Sequence, residues 1–358
     1  MTKLIALRLF CVLLFLAFLP DAKGQKNCIV VEAGNAESLL QAIEKANKQN
    51  ADSATSKRLF ILIPDGVYDL GERVLTALTG HNISLMGQSM ENTIIRNAPL
   101  KENEGISKTA TLLNRGSGLS LHDLTLKNDL DYYHSGAAGR AVCLQDKGTR
   151  TICQRVRMLS YQDTYYSWAE DCQHYLEDSE IHGTVDFICG AGDVYFNRCL
   201  IVTEPRNEDG HGRCVIAAPR TSDTKWGYIF DRCTVRNVKS DFHYARGWNV
   251  APHCIWLNTR LETPERLDNP RFDPNGMRTA RSYFKEYGTT DAEGHNIMPQ
   301  SNVVTFTCNG DTCAVETVMS ADEARRYSPQ AVFPKWRPDK EAQQLQKMGA
   351  QLMGKIKK

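Results

Sequence analysis

The chain has 358 residues, of which 43 are basic and 42 acidic, so its formal net charge is only +1. Such a balance excludes the strongly cationic surface that would attract nucleic acid or an anionic membrane. The length would accommodate two domains, but an all-β solenoid of this size often forms one.

The N-terminus has the pattern of a secretory signal peptide. Lys3 and Arg8 precede an apolar run, Leu9–Leu19, which is too short for a stable membrane span. We expect residues 1–24 to be removed near Gly24–Gln25, leaving 40 basic and 41 acidic residues once Lys3, Arg8, Lys23 and Asp21 are gone. The expected product is a secreted or periplasmic protein with no membrane span.

The two ends of the remaining chain are predicted to be helical. Residues 36–49 (AESLLQAIEKANKQ) have an amphipathic pattern and precede a strand-like run at 58–70. A helix there would cap the first coil of a solenoid, whose sheet edge would otherwise be open. The tail, 338–358, reads as a basic helix and is expected to be a solvated end. We therefore place the main domain at 25–340 and a helical tail at 341–358.

Between these ends one short phrase recurs, in which apolar or small residues alternate around a polar pair. It occurs six times, as LSLHDLTL, TICQRVRM, HYLEDSEI, VYFNRCLI, YIFDRCTV and CIWLNTRL. The equivalent position falls at residues 124, 156, 179, 199, 233 and 259, which gives gaps of 32, 23, 20, 34 and 26 residues.

These gaps predict a right-handed parallel β-helix with uneven loops, in which each coil stacks on the preceding one. Alternation indicates strands, and the polar pair in each phrase indicates a bend. The fold class is therefore all-β with capping helices. An antiparallel β-sandwich is the alternative, but its hairpins would need more tight Gly and Asn turns than the sequence contains.

Twelve cysteines are present, and one, Cys11, lies in the signal segment. The others are expected mostly to fill the core as small apolar residues. Cys308 and Cys313 flank an Asn-Gly turn signal, so they form either a disulfide or two reduced thiols beside a hairpin.

Two carboxylates stand out because their neighbours should be buried. Asp163 lies in SYQDTYYSW and Asp186 in IHGTVDFICG, 23 residues apart, which equals the gap between their two coils. They should therefore occupy equivalent places on adjacent coils, roughly 4.8 Å apart along the axis. At that separation one tends to hold a proton while the other stays charged, which suits acid/base and nucleophilic chemistry. An Asp ladder that binds calcium or caps turns is the alternative.

The sequence also resembles the pectin methylesterases. SYQDTYY and GTVDFICG resemble the two central signatures of that family, while IPDGVYDL (63–70) and YARGWNV (244–250) resemble two further motifs in the same order. The correspondence runs from about Pro64 to Trp336. The resemblance implies a right-handed β-helix that removes methyl groups from galacturonan, with a polysaccharide as partner and no metal or cofactor. We expect a monomer that binds no nucleic acid.

The resemblance also implies roles for individual residues. Asp186 would be the nucleophile and Asp163 the general acid and then base. Gln162 would donate to the oxyanion, Arg246 would hold Asp186, and Trp248 would line the sugar subsite. Independently, an arginine paired with Asp186 is expected to keep the pKa of that carboxyl low, so that it remains the charged member.

Arg140 is a departure from the family, which usually has Gln at this position. It precedes Asp163 by 23 residues, so we expect it one coil away on the same face. A guanidinium can donate to an oxyanion or bind a galacturonate carboxylate. Esterase activity is therefore expected, with an altered substrate preference, although loss of activity is the other possible outcome.

Three rival functions remain open at this point. A polygalacturonase would need a pair of acids, and no adjacent Asp-Asp occurs; His211 in DGHGR is then a loop residue. A pectate lyase would need more carboxylates for calcium. A non-catalytic polysaccharide binder could use an aromatic groove, whose candidate members are Tyr132, Tyr133, Tyr165, Tyr166, Phe187 and Trp248.

Overall fold

The computed structural model describes residues 27–136, 138–221, 225–248, 251–279 and 281–356. The signal segment predicted at 1–24 lies outside them. Within these ranges no helix is long and apolar enough to cross a membrane.

The chain forms 26 strands and four helices. The strands are β1 Cys28–Val30, β2 Leu59–Ile63, β3 Gly66–Asp69, β4 Thr76–Leu78, β5 Ile83–Gly87, β6 Thr93–Asn97, β7 Leu112–Asn114, β8 Ser120–Asn128, β9 Leu144–Asp146, β10 Thr151–Leu159, β11 Tyr165–Ser167, β12 Gln173–Glu177, β13 Glu180–Gly183, β14 Val185–Gly190, β15 Asp193–Asn197, β16 Leu200–Thr203, β17 Arg213–Pro219, β18 Tyr228–Asp231, β19 Thr234–Asn237, β20 Asp241–Arg246, β21 His253–Leu257, β22 Arg260–Leu261, β23 Phe272–Asp273, β24 Tyr283–Tyr287, β25 Val303–Cys308 and β26 Asp311–Glu316. The helices are α1 Ala36–Gln49, α2 Ala321–Ala324, α3 Pro329–Val332 and α4 Pro338–Ile356.

The strands stack in parallel as a three-faced coil, which confirms the predicted parallel β-helix. The first face has the order β1-β2-β5-β8-β10-β12-β15-β18-β21-β24, and the third face has the order β23-β20-β17-β14-β11-β9-β7-β4. The second face consists of β3, β6, β13, β16, β19 and β22 together with the C-terminal halves of the long strands β8 and β10.

The registers reproduce all five predicted gaps. Pairing advances by 32 residues from β8 to β10, by 23 to β12, by 20 to β15, by 34 to β18 and by 26 to β21. The second residue of each predicted polar pair makes the bend between faces in a left-handed backbone conformation. These residues are Asp123, Arg155, Asp178, Arg198 and Arg232, with φ between 48 and 53°. The repeat was therefore a record of the coil geometry.

Side chains that point inward from the three faces fill one continuous apolar core. An aromatic stack runs along its axis from Phe196 to Phe230 (ring centroids 4.4 Å apart), Trp256 (4.0 Å) and Tyr244 (4.5 Å). Because equivalent positions on successive coils lie close together, rings at those positions stack face to face.

Both predicted terminal helices are present. α1 begins at the N-cap Asn35, whose side chain accepts from the Ser38 N–H, and buries one apolar side against the first coil. α4 differs from the expected solvated end, because Ala342, Leu345 and Met353 pack against the outer surface of the first face. The predicted boundary at residue 341 falls inside this helix.

The cysteines follow the prediction. Cys308 and Cys313 form a disulfide across the β25–β26 hairpin. Eight others are buried free thiols, and Cys28 is partly buried.

Candidate active site

The two carboxylates project from the third face. Asp163 lies two residues before β11, and Asp186 is the second residue of β14. β11 and β14 pair with Tyr165 opposite Ile188, an offset of 23 residues, so the predicted equivalence of the two positions is confirmed. Both aspartates have a left-handed backbone, with φ of 61° and 51°. That conformation is costly for a residue other than glycine and is typical of functional sites.

Both side chains open into one cleft of about 350 Å³. The cleft is lined by Ile106, Arg140, Gln162, Asp163, Asp186, Arg246, Gly247, Trp248 and Asn275. Six of the predicted site residues are therefore brought together. Ile106 and Asn275 were not predicted, because each lies on a loop outside the recurring motifs.

Asp186 is held by Arg246 in a two-point ion pair. Arg246 Nε donates to Oδ1 at 2.7 Å, and Nη2 donates to Oδ2. Burial raises the pKa of Asp186, and the hydrogen bonds and charge of Arg246 oppose that rise. The expectation that its pKa would be low is therefore wrong: desolvation outweighs the pairing.

Asp163 is the more deeply buried member, with 4% of its surface exposed. Burial raises the pKa of Asp163 well above its usual range, and the neighbouring charge of Asp186 raises it further. The predicted division is thus retained in relative form. Asp163 is the carboxyl that favours the proton, whereas Asp186 has the stronger cationic partner.

Gln162 precedes Asp163 and is largely buried at the cleft wall. Its backbone carbonyl accepts from the Ala141 N–H at 2.9 Å, which fixes the backbone beside the carboxylates. Among the described residues, its side-chain amide has no hydrogen-bond partner, so its N–H groups are available to a ligand in the cleft.

Arg140 is close to the predicted place but one residue out of register. Its backbone pairs with Gln162, not with Asp163. Its Nε lies 3.8 Å from Asp163 Oδ2, and its Nη1 donates to Glu104 Oε1 at 2.9 Å. Glu104 was missed by the sequence analysis, because it lies in an irregular loop with no repeat to fix its position. The cation therefore faces the acid but is already partly neutralised.

The predicted aromatic groove is only partly present. Trp248 lines the cleft, and its ring lies 6.1 Å from that of Tyr166, which is buried beneath it. Tyr165 and Phe187 point inward and are fully buried in the core, so a substrate-stacking role for them is wrong. Strand alternation explains Phe187: it follows the outward Asp186, so its side chain faces the opposite side.

Tyr132 and Tyr133 do not line the cleft either. The Tyr132 ring stacks on Tyr161 at 4.8 Å, and Tyr133 donates to the Pro205 carbonyl at 2.9 Å. His211 is an exposed loop residue, as predicted.

A potential metal-binding group lies elsewhere. Among the residues that the structure describes, the one cluster of three His, Cys, Asp or Glu ligand atoms within 4.8 Å of one another is Asp291, Glu293 and His295. None of the three lines the cleft. The cleft itself presents two carboxylates, two guanidinium groups and an amide, a set suited to acid/base and nucleophilic chemistry.

Comparison with known proteins identifies the class. The family described as Pectinesterase matches residues 27–259, and the chain belongs to this family. Among curated relatives, a probable pectinesterase/pectinesterase inhibitor 42 of Arabidopsis thaliana is 32% identical over 198 residues, which is 53% of this chain and 36% of the relative. A probable pectinesterase 50 of the same plant is 26% identical over 275 residues, covering 75% of this chain and 72% of the relative. The match thus spans about a third of the length of the first relative.

Solved structures show the same fold. A pectin methylesterase from carrot superposes with a TM-score of 0.67 at 20% identity, covering 87% of this chain and 94% of that one. A pectin methylesterase from Erwinia chrysanthemi gives a TM-score of 0.65 at 23% identity, covering 83% and 93%. At these identities the likeness supports the fold, and the chemistry must be argued from the cleft itself.

Proposed function

We propose that the cleft hydrolyses methyl esters of galacturonan. The observation that carries this proposal is the unequal pair of carboxyls, because Asp186 is gripped at two points by Arg246 whereas Asp163 is buried and favours the proton. Ester hydrolysis through a covalent intermediate needs one charged nucleophile and one protonated acid side by side. Membership of the pectinesterase family supports the choice of substrate.

In the first half-reaction, an Asp186 oxygen attacks the ester carbonyl and forms a tetrahedral intermediate. The Gln162 amide, which is free to donate, stabilises the oxyanion together with the Arg140 guanidinium. Asp163 gives its proton to the methoxy oxygen as the C–O bond breaks. Methanol leaves, and the acyl group remains on Asp186 as an anhydride.

In the second half-reaction, Asp163, now a carboxylate, accepts a proton from an incoming water molecule. The resulting hydroxide attacks the acyl carbon, and the anhydride bond to Asp186 breaks. Free galacturonate leaves, Asp186 returns as a carboxylate, and Asp163 is protonated again. Each catalytic group therefore ends in its starting state, and no cofactor enters the balance.

Trp248 at the cleft wall is proposed to stack on a sugar ring, with Tyr166 supporting it from below. Together with the predicted signal peptide, the polymeric substrate places the protein outside the cytoplasm, secreted or in the periplasm. We propose that it acts as a monomer.

The deciding experiment measures methanol released from highly methylated pectin, together with the chain length and ultraviolet absorbance of the product. Methanol release at constant chain length is expected. Shortened chains would indicate a hydrolase, an unsaturated product would indicate a lyase, and binding without any product would indicate a non-catalytic polysaccharide binder.

A further inference from the structure

A row of side chains continues from the cleft along the third face. Each member follows directly after a strand, and its backbone N–H donates to the preceding coil: Lys147 to Asn114, Trp168 to Asp146, Ala191 to Ser167, Arg220 to Gly190 and Trp248 to Pro219. These bonds place the five residues at equivalent positions on successive coils, about 4.8 Å apart. We call Lys147, Trp168, Arg220 and Trp248 the cation–aromatic row.

Cations and rings alternate in contact along this row. Lys147 Nζ lies 3.9 Å from the centroid of the Trp168 ring. The Arg220 guanidinium lies between the two indoles, 5.8 Å from the Trp168 ring and 5.5 Å from the Trp248 ring. Arg220 Nη2 also donates to the Trp168 carbonyl at 3.0 Å, which fixes its position. The small side chain of Ala191 leaves room for this arrangement.

The charges of the row are not neutralised by the protein. Among the described residues, neither Lys147 nor Arg220 has a carboxylate oxygen within 4.0 Å of its side-chain nitrogens, although most cations of the third face have one. Arg220 Nε is buried without a hydrogen-bond partner. Trp168 is 37% exposed, unusually high for so large an apolar side chain. An exposed ring between two unpaired cations is a surface suited to a ligand that is both anionic and flat.

We propose that the cation–aromatic row binds the free carboxylates and sugar rings of an unesterified galacturonan stretch that extends from the residue held in the cleft. Apolar ring faces stack on the sugar, and Lys147 and Arg220 pair with its carboxylates. A methyl-esterified residue is neutral and gains nothing from these cations. This inference rests on the proposed function for the identity of the polymer, and it makes the substrate one that is already partly demethylated.

The direct test is binding of fully de-esterified polygalacturonate, which carries no ester and cannot be turned over. Lys147→Gln and Trp168→Ala should each weaken binding roughly three- to tenfold, the loss expected for one partly exposed charge or stacking contact. Lys225→Gln is the matched control, since Lys225 lies 4.8 Å from the Trp226 ring in a cation–aromatic pair outside the row. The control should bind as the unaltered protein does.

Unchanged binding by Lys147→Gln, or equal weakening by Lys225→Gln, would overturn the proposal. Dextran sulfate serves as a second probe: if Lys147→Gln weakens its binding by the same factor, the row is a general anion surface and the assignment to galacturonan is lost. Thermal unfolding checks that the variants fold, and Lys147→Gln removes no buried group, so it decides the question even if Trp168→Ala does not fold.

Methanol release gives an independent second readout. Lys147→Gln should lower the rate on partly demethylated pectin relative to that on highly methylated pectin, and an unchanged ratio would count against the row. If the unaltered protein releases no methanol from any pectin, the proposed esterase function fails, while the binding measurement still decides whether the row holds polygalacturonate.

Discussion

The core and the cleft are built from neighbouring residues of the same strands, yet they differ in what their burial does. On β14, Phe187 points into the core and packs among apolar side chains, whereas Asp186 points out into the cleft and is buried against Arg246. Burial of the ring stabilises the fold, while burial of the carboxylate costs solvation that the ion pair offsets only in part. The cleft therefore stores reactivity, and the core supplies the stability that holds it together.

The largest expected effect separates these two roles most clearly. Asp186→Asn should lower the rate of methanol release roughly 10⁴-fold or more, because an amide cannot act as the nucleophile. Its effect on thermal unfolding should be small, since the amide has nearly the same shape and loses the desolvation cost of the charge. The measurement pairs methanol release with the unfolding temperature.

Asp241→Asn is the matched control, because it alters an exposed ion pair with Arg266 on the neighbouring strand β20. It should leave both quantities nearly unchanged. Near-normal turnover by Asp186→Asn would show that another group is the nucleophile.

The converse change lies in the core. Phe230→Ala opens a gap in the aromatic stack, between Phe196 at 4.4 Å and Trp256 at 4.0 Å. It should lower the free energy of unfolding by about 3–5 kcal/mol, as measured by urea denaturation. Methanol release per folded molecule should be retained.

Phe230→Leu serves as control, since it keeps most of the apolar volume and should cost clearly less. If Phe230→Ala abolished activity while the chain remained folded, the core and the cleft would be coupled more tightly than their separate contacts indicate.

A smaller effect on activity is expected at the proposed acid. Asp163→Asn should slow methanol release about 100-fold, because general acid catalysis contributes on that order and water can supply some protonation. A substrate ester of a more acidic alcohol needs no protonation to leave. Such an ester should partly rescue Asp163→Asn but not Asp186→Asn, and equal rescue of both variants would contradict the two distinct roles.

How much of this could be read from the sequence depends on whether a residue lies in the repeat. The strand registers and the equivalence of Asp163 and Asp186 were predictable, because each follows from spacing within one stacked coil. Glu104 was not, since it lies in a loop whose path is set by the assembled fold. Arg140 precedes β9, where pairing with the next coil advances by 22 residues at Arg140 and by 21 within the strand, so counting 23 misplaced it by one position.

The burial of Tyr165 and Phe187 could have been foreseen in part. An outward Asp186 requires an inward Phe187 by simple alternation. Tyr165 is less obvious, because the left-handed backbone at Asp163 resets the alternation at the start of β11. The raised pKa of Asp186 was beyond sequence reasoning, since it depends on how completely the folded cleft excludes water from an ion pair.

The smallest and most diagnostic effect concerns the two charges that flank Asp163. As the acid, Asp163 must be protonated, so its pKa sets the alkaline limb of the kcat/KM profile. The Arg140 charge lowers the pKa of Asp163, and the Glu104 charge raises it. Arg140→Gln should therefore move the alkaline limb to higher pH, and Glu104→Gln should move it to lower pH.

The acidic limb, set by Asp186, should stay in place in both variants, because Arg246 remains its partner. Arg155→Gln, which breaks an ion pair with Asp123 outside the cleft, is the matched control and should shift neither limb. Shifts in the same direction for Arg140→Gln and Glu104→Gln would show that the alkaline limb belongs to a group other than Asp163. Arg140→Gln, which restores the residue usual in the family, should also reduce preference for partly demethylated chains while keeping activity on highly methylated pectin. An unchanged ratio of initial methanol release from the two substrates would reduce Arg140 to a structural partner of Glu104, since a cation already paired with a carboxylate need not recognise a second one.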